Sequence, residues 1–261
     1  MGRIIAIANQ KGGVGKTTTS INLAASLSEK GKKVLAVDMD PQGNLTSGLG
    51  IDKNSLTYTI YDAMCGECNV GECMIVRPLG KNLNISVLPA SKELAGAEVD
   101  FIDTDKPQYI LKNLISKVRD KFDFVIIDCP PALGMLTVNS MTAANTVLVP
   151  IQCEFFALEG LSQLIYTIEL IKKKLNKSLE IEGVVFTMYD ARTNLSLEVV
   201  ENVKTNLDQF IYKSIIPRNV RLAEAPSFGL PINLYDNKSA GAKGYSDLAE
   251  EVINNKLYAD I

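Results

Sequence analysis

A glycine-rich loop close to the first residues of the chain carries the residue types that bind a polyphosphate. The loop consists of Lys11, Gly12, Gly13, Val14, Gly15, Lys16, Thr17 and Thr18. When such a loop joins a strand to a helix, its backbone amides point at an anion and the helix dipole adds positive potential. Lys16 would then bridge the β- and γ-phosphates, and the Thr17 hydroxyl would ligate Mg²⁺. The loop therefore predicts a site for ATP or ADP with Mg²⁺.

The loop differs from the phosphate-loop motif G-x-x-x-x-G-K-[ST] at one position, because Gln10 stands where the first glycine would fall. An additional lysine, Lys11, comes directly before two glycines. From the start of the loop, Lys11 can point away from the nucleotide of its own chain and towards a second subunit. The alternative is a solvated surface lysine.

Two apolar runs end in carboxylates. The run 34–37 is followed by Asp38 and Asp40, and the run 124–127 by Asp128. Ligands of open α/β sheets bind at the carboxyl ends of the strands. One of Asp38 and Asp40 can steady Mg²⁺ or its waters while the other orients an attacking water. Asp128 ends a segment that resembles a Walker B strand and would reach Mg²⁺ through water, with loop capping as the alternative.

These residues favour phosphoryl transfer, which requires positioning and charge neutralisation more than covalent help. The chain contains no histidine. That excludes Ser-His and Cys-His nucleophilic catalysis and imidazole metal sites. Since no strong general base is evident, we expect an ATPase with slow intrinsic turnover.

The elements that must position these residues are short apolar runs alternating with helical patterns. The predicted strands are 4–8, 33–38, 84–88, 124–128, 146–151, 183–187 and 211–216, and the predicted helices are 17–30, 107–120, 158–175, 196–210 and 243–257. Continuously apolar strands are typical of parallel sheets covered on both faces. The pattern predicts an α/β fold with a doubly wound, mostly parallel sheet and helices on both faces. Without a linker-like segment, residues 1–261 are expected to form a single domain.

Bulk composition limits the partners and the location. The net charge is −3, so contact with DNA or anionic lipid requires a local basic patch. No apolar stretch approaches the roughly 20 residues that cross a bilayer, and no signal peptide is evident. We expect a cytoplasmic protein.

Cys65, Cys68 and Cys73 form a C-x2-C-x4-C run, but three thiols without histidine are interpreted as reduced cysteines with no metal. Cys129 and Cys153, beside apolar strands, are expected to be buried.

The string KGGVGKTT resembles the deviant Walker A loop of the ParA/MinD ATPases, a group with the P-loop NTPase fold. The segments 150–154, 190–194, 217–222 and 224–226 further resemble the short chromosomal ParA (Soj) branch, so that the resemblance spans nearly the whole chain. It implies an ATP-sandwich homodimer in which Lys11 reaches the phosphates of the partner. It also implies that Asp40 belongs to the first switch and supports hydrolysis, and that Asp38 lies near the metal shell.

The same resemblance implies a function and further site residues. The adenine would lie beside Pro217 and Asn219, for which a plain turn is the alternative. The ATP-bound dimer would bind non-specific DNA on the nucleoid and leave it after hydrolysis stimulated by a ParB/Spo0J-type centromere-binding protein. The expected DNA contacts are Arg192, Arg218 and Arg221, with the lysines at 172–174 and 177 as an alternative surface.

Two rival functions stay open at this point. A MinD-like division regulator that cycles on membranes would need a basic amphipathic tail. Residues 250–261 are instead acidic to neutral. An iron–sulfur carrier or reductase would need paired thiols from each subunit. The segment 133–140 that follows Asp128 contains no cysteine. Both features favour the partitioning ATPase.

Overall fold

The continuous apolar runs form the centre of one sheet in the computed structural model, which describes residues 2–80, 83–154, 157–207 and 210–255. Within these residues the sheet has eight strands in the order β3-β4-β2-β5-β1-β6-β7-β8. The strands are β1 (Arg3–Ile7), β2 (Val34–Asp38), β3 (Ile75–Pro78), β4 (Asn84–Leu88), β5 (Phe124–Asp128), β6 (Thr146–Gln152), β7 (Glu180–Tyr189) and β8 (Ile211–Pro217). The β3–β4 pair is antiparallel, and the other neighbouring strands pair in parallel.

Helices connect the strands across both faces of the sheet. They are α1 (Lys16–Glu29), α2 (Asn44–Gly48), α3 (Ile60–Cys65), α4 (Ala97–Asp100), α5 (Ile110–Ser116), α6 (Met135–Ala143), α7 (Ala157–Lys174), α8 (Asn194–Asn206), α9 (Val220–Glu224), α10 (Ile232–Tyr235) and α11 (Ala240–Asn254). One buried cluster joins Ile5 and Ile7 of β1 to residues of α1 and α11. The other joins Ile4 and Ala6 to residues of α5, α6, α7 and α8. Successive residues of a strand point to opposite faces. The doubly wound, mostly parallel fold is therefore confirmed.

The seven predicted strands are all present, with ends that differ by a few residues. The predicted helix 107–120 is wrong as a single helix. Its central turns form α5, and 3-10 turns occupy Pro107–Tyr109 and Arg119–Lys121. Short 3-10 turns are common at helix ends, and a spacing of three keeps apolar side chains on nearly the same face. The periodicity of the sequence consequently does not separate the three pieces. That residues 1–261 form one domain stays a prediction.

The edge of the sheet at which the parallel strands begin is called here the amino-terminal rim. A buried ion pair links neighbouring elements at this rim. Arg3 of β1 pairs with Glu182 of β7, whose side chain is fully buried. Tyr212 of β8 donates its hydroxyl to the same carboxylate at 2.7 Å, and Arg3 Nη1 donates to the Val252 carbonyl at 2.9 Å. Burial, followed by the negative charge of Glu182, raises the pKa of Tyr212. Three strands therefore meet at this one carboxylate, and Arg3 links the end of α11 to them.

Among the described residues, we find no helix with the length and apolar character that crossing a membrane requires. The prediction about the tail at 250–261 concerns residues that lie partly outside this set, since the described part ends at residue 255.

Candidate functional site

The glycine-rich loop joins β1 to α1, as the sequence predicts. Gly13 and Gly15 have φ values of 76° and 87°, a left-handed backbone that favours glycine. Lys16 is the first residue of α1, and its Nζ donates to the carbonyl of Lys11 at 3.0 Å. Burial lowers the pKa of Lys16, and the negative charge of Asp128 opposes that shift. The ammonium is thus held inside the loop, across its two ends.

Lys11 has the opposite orientation. Its backbone N–H donates to Asn9 Oδ1 at 3.0 Å, and Asn9 Nδ2 donates to the Pro150 carbonyl at 2.8 Å, so the start of the loop is fixed to β6. The ammonium forms an ion pair with the carboxylate of Glu154, and 43% of the Lys11 side chain is exposed. The two lysines of the loop therefore face different surroundings, one inside the loop and one at the surface.

Two hydroxyl groups of α1 donate hydrogen bonds to Asp128. Its carboxylate is fully buried and accepts hydrogen bonds from Thr17 Oγ1 and Ser20 Oγ, each at 2.8 Å. In the register of β2 and β5, Asp38 lies directly opposite Asp128. Burial raises the pKa of Asp128, and the nearby charge of Asp38 raises it further. Sequence reasoning missed Ser20, although a position four residues after Lys16 lies on the same face of the helix.

The acids after β2 are fixed by the turn that follows them. Asp38 Oδ2 accepts from the backbone N–H of Thr46 at 2.8 Å and from its hydroxyl at 2.7 Å. Burial raises the pKa of Asp38, and these hydrogen bonds oppose the shift. Asp40 is also buried, and its Oδ1 accepts from the Gln42 N–H at 2.9 Å. The structure thus brings Asp38, Asp40 and Asp128 to one end of the sheet beside the loop.

This set of oxygen donors fits Mg²⁺. A hydroxyl and carboxylates, here Thr17 with Asp38 and Asp128, are hard ligands of the kind that Mg²⁺ prefers. Within the described part of the chain, no group of three or more Asp, Glu or Cys side chains is arranged to hold a metal ion. Mg²⁺ usually takes one or two carboxylates and completes its shell with water and phosphate oxygens. The donors present match that mode of binding.

A cavity of about 300 Å³ opens next to the phosphate loop. Its lining residues are Gly15, Thr18, Thr187, Met188, Ile216, Pro217, Arg218, Asn219, Val220, Leu222, Ala223 and Tyr245. The predicted base-binding residues Pro217 and Asn219 both belong to it. Asn219 also caps α9, because its Oδ1 accepts from the Arg221 N–H at 2.8 Å. Sequence reasoning missed Thr187, Met188 and Tyr245, which come from distant segments. Contact of any of these residues with a base stays a prediction.

The three predicted DNA-binding arginines lie near the adjacent ends of β7 and β8. Arg218 donates its backbone N–H to the Tyr189 carbonyl at 2.9 Å. Arg192 forms two hydrogen bonds with the Asp190 carboxylate, at 2.8 and 2.7 Å, and Arg221 pairs with Glu224 at 2.8 Å. The hydrogen bonds from Arg192 lower the pKa of Asp190. The surface is therefore a mixture of arginines and paired acids, and its role in DNA binding stays a prediction.

The five cysteines differ in how far their side chains are exposed. Cys129 and Cys153 are buried, which confirms the interpretation from the sequence. In the C-x2-C-x4-C run, Cys65 is exposed, Cys68 is half-buried and Cys73 is buried. Neighbouring protein atoms displace part of the water around each of the three thiols, including exposed Cys65, and this desolvation raises the pKa of all three, so each forms the thiolate less readily than a free cysteine.

The parallel sheet, the glycine loop between β1 and α1, and the acids at the ends of β2 and β5 define a P-loop nucleotide-binding protein. A family model described as an AAA domain matches residues 2–181. The sporulation initiation inhibitor protein Soj of Bacillus subtilis is 52% identical over 98% of this chain and 100% of its own. The chromosome partitioning protein ParA of Myxococcus xanthus is 49% identical over 97% of this chain and 88% of its own. This chain belongs to the Soj/ParA family of chromosome-partitioning ATPases.

Solved structures agree with the fold and with the nature of the ligands. The crystal structure of cobyrinic acid a,c-diamide synthase from Mycobacterium smegmatis with bound ADP and magnesium superposes with a TM-score of 0.85. The two proteins are 36% identical, and the match covers 98% of this chain and 95% of the other. Magnesium and an adenine nucleotide are thus the ligands of a structural neighbour, in accordance with the cofactors predicted from the sequence.

Proposed function

We propose that this protein is a Mg²⁺-dependent ATPase that partitions chromosomal or plasmid DNA by switching between a monomer and an ATP-bound dimer. The dimer binds DNA non-specifically, and hydrolysis stimulated by a ParB/Spo0J-type protein releases it. The observation that carries this proposal is the opposite orientation of the two loop lysines. Lys16 lies inside its own loop, whereas Lys11 lies at the surface, where a second molecule can reach it.

Within one subunit, the loop residues neutralise and position the phosphates of ATP. The amides of residues 12–18 and the Lys16 ammonium would face the β- and γ-phosphates. Thr17, Asp38 and Asp128 would hold Mg²⁺, which would supply positive charge at the phosphate oxygens. Asp40 orients the attacking water. Because no histidine is present in the chain, proton removal from that water has no imidazole base, and turnover without a partner is slow.

The contact of Lys11 with the second subunit requires that the pair with Glu154 opens. Both side chains are more than two-fifths exposed. Exposed ion pairs contribute about 0–1 kcal/mol, so little free energy opposes the exchange. A triphosphate carries several negative charges where Glu154 carries one. A dimer that presents ATP to Lys11 therefore offers the ammonium a stronger partner than its own chain does.

Size-exclusion chromatography with light scattering tests this scheme. The wild-type protein is expected to be a monomer with ADP and a dimer with a non-hydrolysable ATP analogue and Mg²⁺. Lys11→Ala is expected to bind the analogue yet remain a monomer. Lys243→Ala, which removes a lysine from an exposed pair with Asp247, is the matched control and is expected to dimerise normally. Dimerisation of Lys11→Ala at wild-type concentrations would show that Lys11 does not bridge the subunits.

A further inference from the structure

Met188 has a backbone conformation that its side chain does not favour. Among the described residues, two non-glycine residues have positive φ: Met188 at 51° and Lys106 at 53°. Methionine lacks the short polar side chain with which asparagine and aspartate stabilise the left-handed region. Such strain persists where surrounding contacts enforce it, and it is concentrated at functional sites. Met188 lines the cavity beside the phosphate loop, whereas Lys106 lies in an exposed segment before α5.

The residue before Met188 is fixed to the phosphate loop. The Thr187 hydroxyl lies 2.8 Å from the Val14 carbonyl and 3.1 Å from the Ile151 carbonyl. A β-carbon added at Gly15 would come within 3.8 Å of Thr187, so the end of β7 lies directly beside the loop. The position of Met188 relative to the phosphate-binding amides is consequently set by direct contacts rather than by a long connection.

The end of β8, which is the next strand of the sheet, adds Pro217 and Asn219 to the lining of the cavity. The backbone bond from Arg218 N–H to the Tyr189 carbonyl, 2.9 Å long, joins the residue after Met188 to this segment. Met188 and Pro217 thus lie on two neighbouring strand ends that border one cavity. This arrangement provides apolar groups on either strand end for a flat ring held between them.

We propose that Met188 is a base-contacting residue whose thioether packs against the purine ring of the bound nucleotide, and that its strained backbone is kept because it directs the side chain into the cavity. This inference rests on the proposed ATPase function. Methionine is polarizable and makes favourable contacts with aromatic rings. The contact involves the base alone, so a ligand with the phosphates but without the base does not gain from it.

Isothermal titration of four variants tests the proposal with two ligands, ADP and inorganic tripolyphosphate, each with Mg²⁺. Met188→Ala is expected to weaken ADP binding by about tenfold, as the loss of one good side-chain contact does. Its affinity for tripolyphosphate is expected to equal that of the wild type. Met188→Leu retains an apolar side chain of similar volume and is expected to bind ADP within about threefold of the wild type.

Glycine variants test the strain separately. Met188→Gly is expected to melt higher than Met188→Ala, because glycine adopts a positive φ without a penalty, yet to bind ADP as weakly. Lys106→Gly is the matched control, with the same backbone relief at an exposed site, and is expected to bind ADP like the wild type. Wild-type ADP affinity in Met188→Ala would overturn the base contact. An equal loss of ADP and tripolyphosphate affinity would also overturn it, since the loop itself would then be disturbed. A wild-type protein that binds neither ligand would refute the ATPase proposal instead.

Discussion

Replacing Glu182 with alanine removes the carboxylate on which Arg3 and Tyr212 converge at the amino-terminal rim. The Glu182 side chain has no exposed surface and that of Arg3 is 10% exposed, so solvent cannot take over the role of the missing group. Breaking a buried ion pair from one side costs about 3–5 kcal/mol. The lost hydrogen bond from Tyr212 overlaps with that term, because both end at the same oxygen. We therefore expect the free energy of unfolding to fall by about 4 kcal/mol.

Urea unfolding monitored by circular dichroism measures this loss as a lower midpoint at unchanged slope. Glu182→Gln keeps an acceptor for Tyr212 and loses the charge, so a smaller loss of about 2 kcal/mol is expected. Glu180→Ala is the matched control on the same strand. Its pair with Lys172 is exposed, and such pairs contribute about 0–1 kcal/mol. If Glu182→Ala and Glu180→Ala destabilised the fold equally, the reasoning from burial would be refuted.

The remaining predictions concern the nucleotide site and the arginines. Lys16→Ala is expected to weaken ATP binding by about 100-fold, since it removes the buried ammonium from the loop, and titration calorimetry measures that loss. Asp40→Ala is expected to bind ATP but to accumulate as a dimer retained on DNA; a wild-type rate of phosphate release in this variant would contradict the assignment of Asp40 to hydrolysis. The double variant Arg192→Ala and Arg221→Ala is expected to lose DNA retention while still dimerising with ATP, and the wild-type protein should lose retention steeply as salt rises. Unchanged retention of the double variant in a DNA pull-down would place the contact elsewhere, with the lysines at 172–174 as the next surface to test.

The central strands were predictable because helices cover both faces of the sheet there. Every residue of β1, β2 and β5 is buried, and such runs are continuous in the sequence. The edge strand β3 was not predicted, because its alternating half-buried and exposed residues give a short, weak signal that ends at Pro78. Helix α6 was missed for the opposite reason. Leu136, Asn139 and Ser140 are all buried, so polar positions do not mark an outer face.

In the candidate site, residues that are close together in the sequence were predictable, and residues that only the fold brings together were not. The loop lysines and Asp128 were predictable because they follow one another or end an apolar run. The role of Glu154 as the partner of Lys11 was not, because 143 positions separate the two residues and only the pairing of β1 with β6 brings them together. Met188 gave no signal either, since a positive φ in a methionine depends on tertiary contacts and not on local preference.

The carboxylate of Glu182 lies at one rim of the sheet, while the phosphate loop and its acids lie at the other. The buried ion pair that adds to the stability of the fold and the residues expected to bind the nucleotide are therefore separate groups of side chains, one at the start and one at the end of the same strands. Substitutions at the first rim can accordingly change the stability of the fold without touching the residues expected to bind the nucleotide.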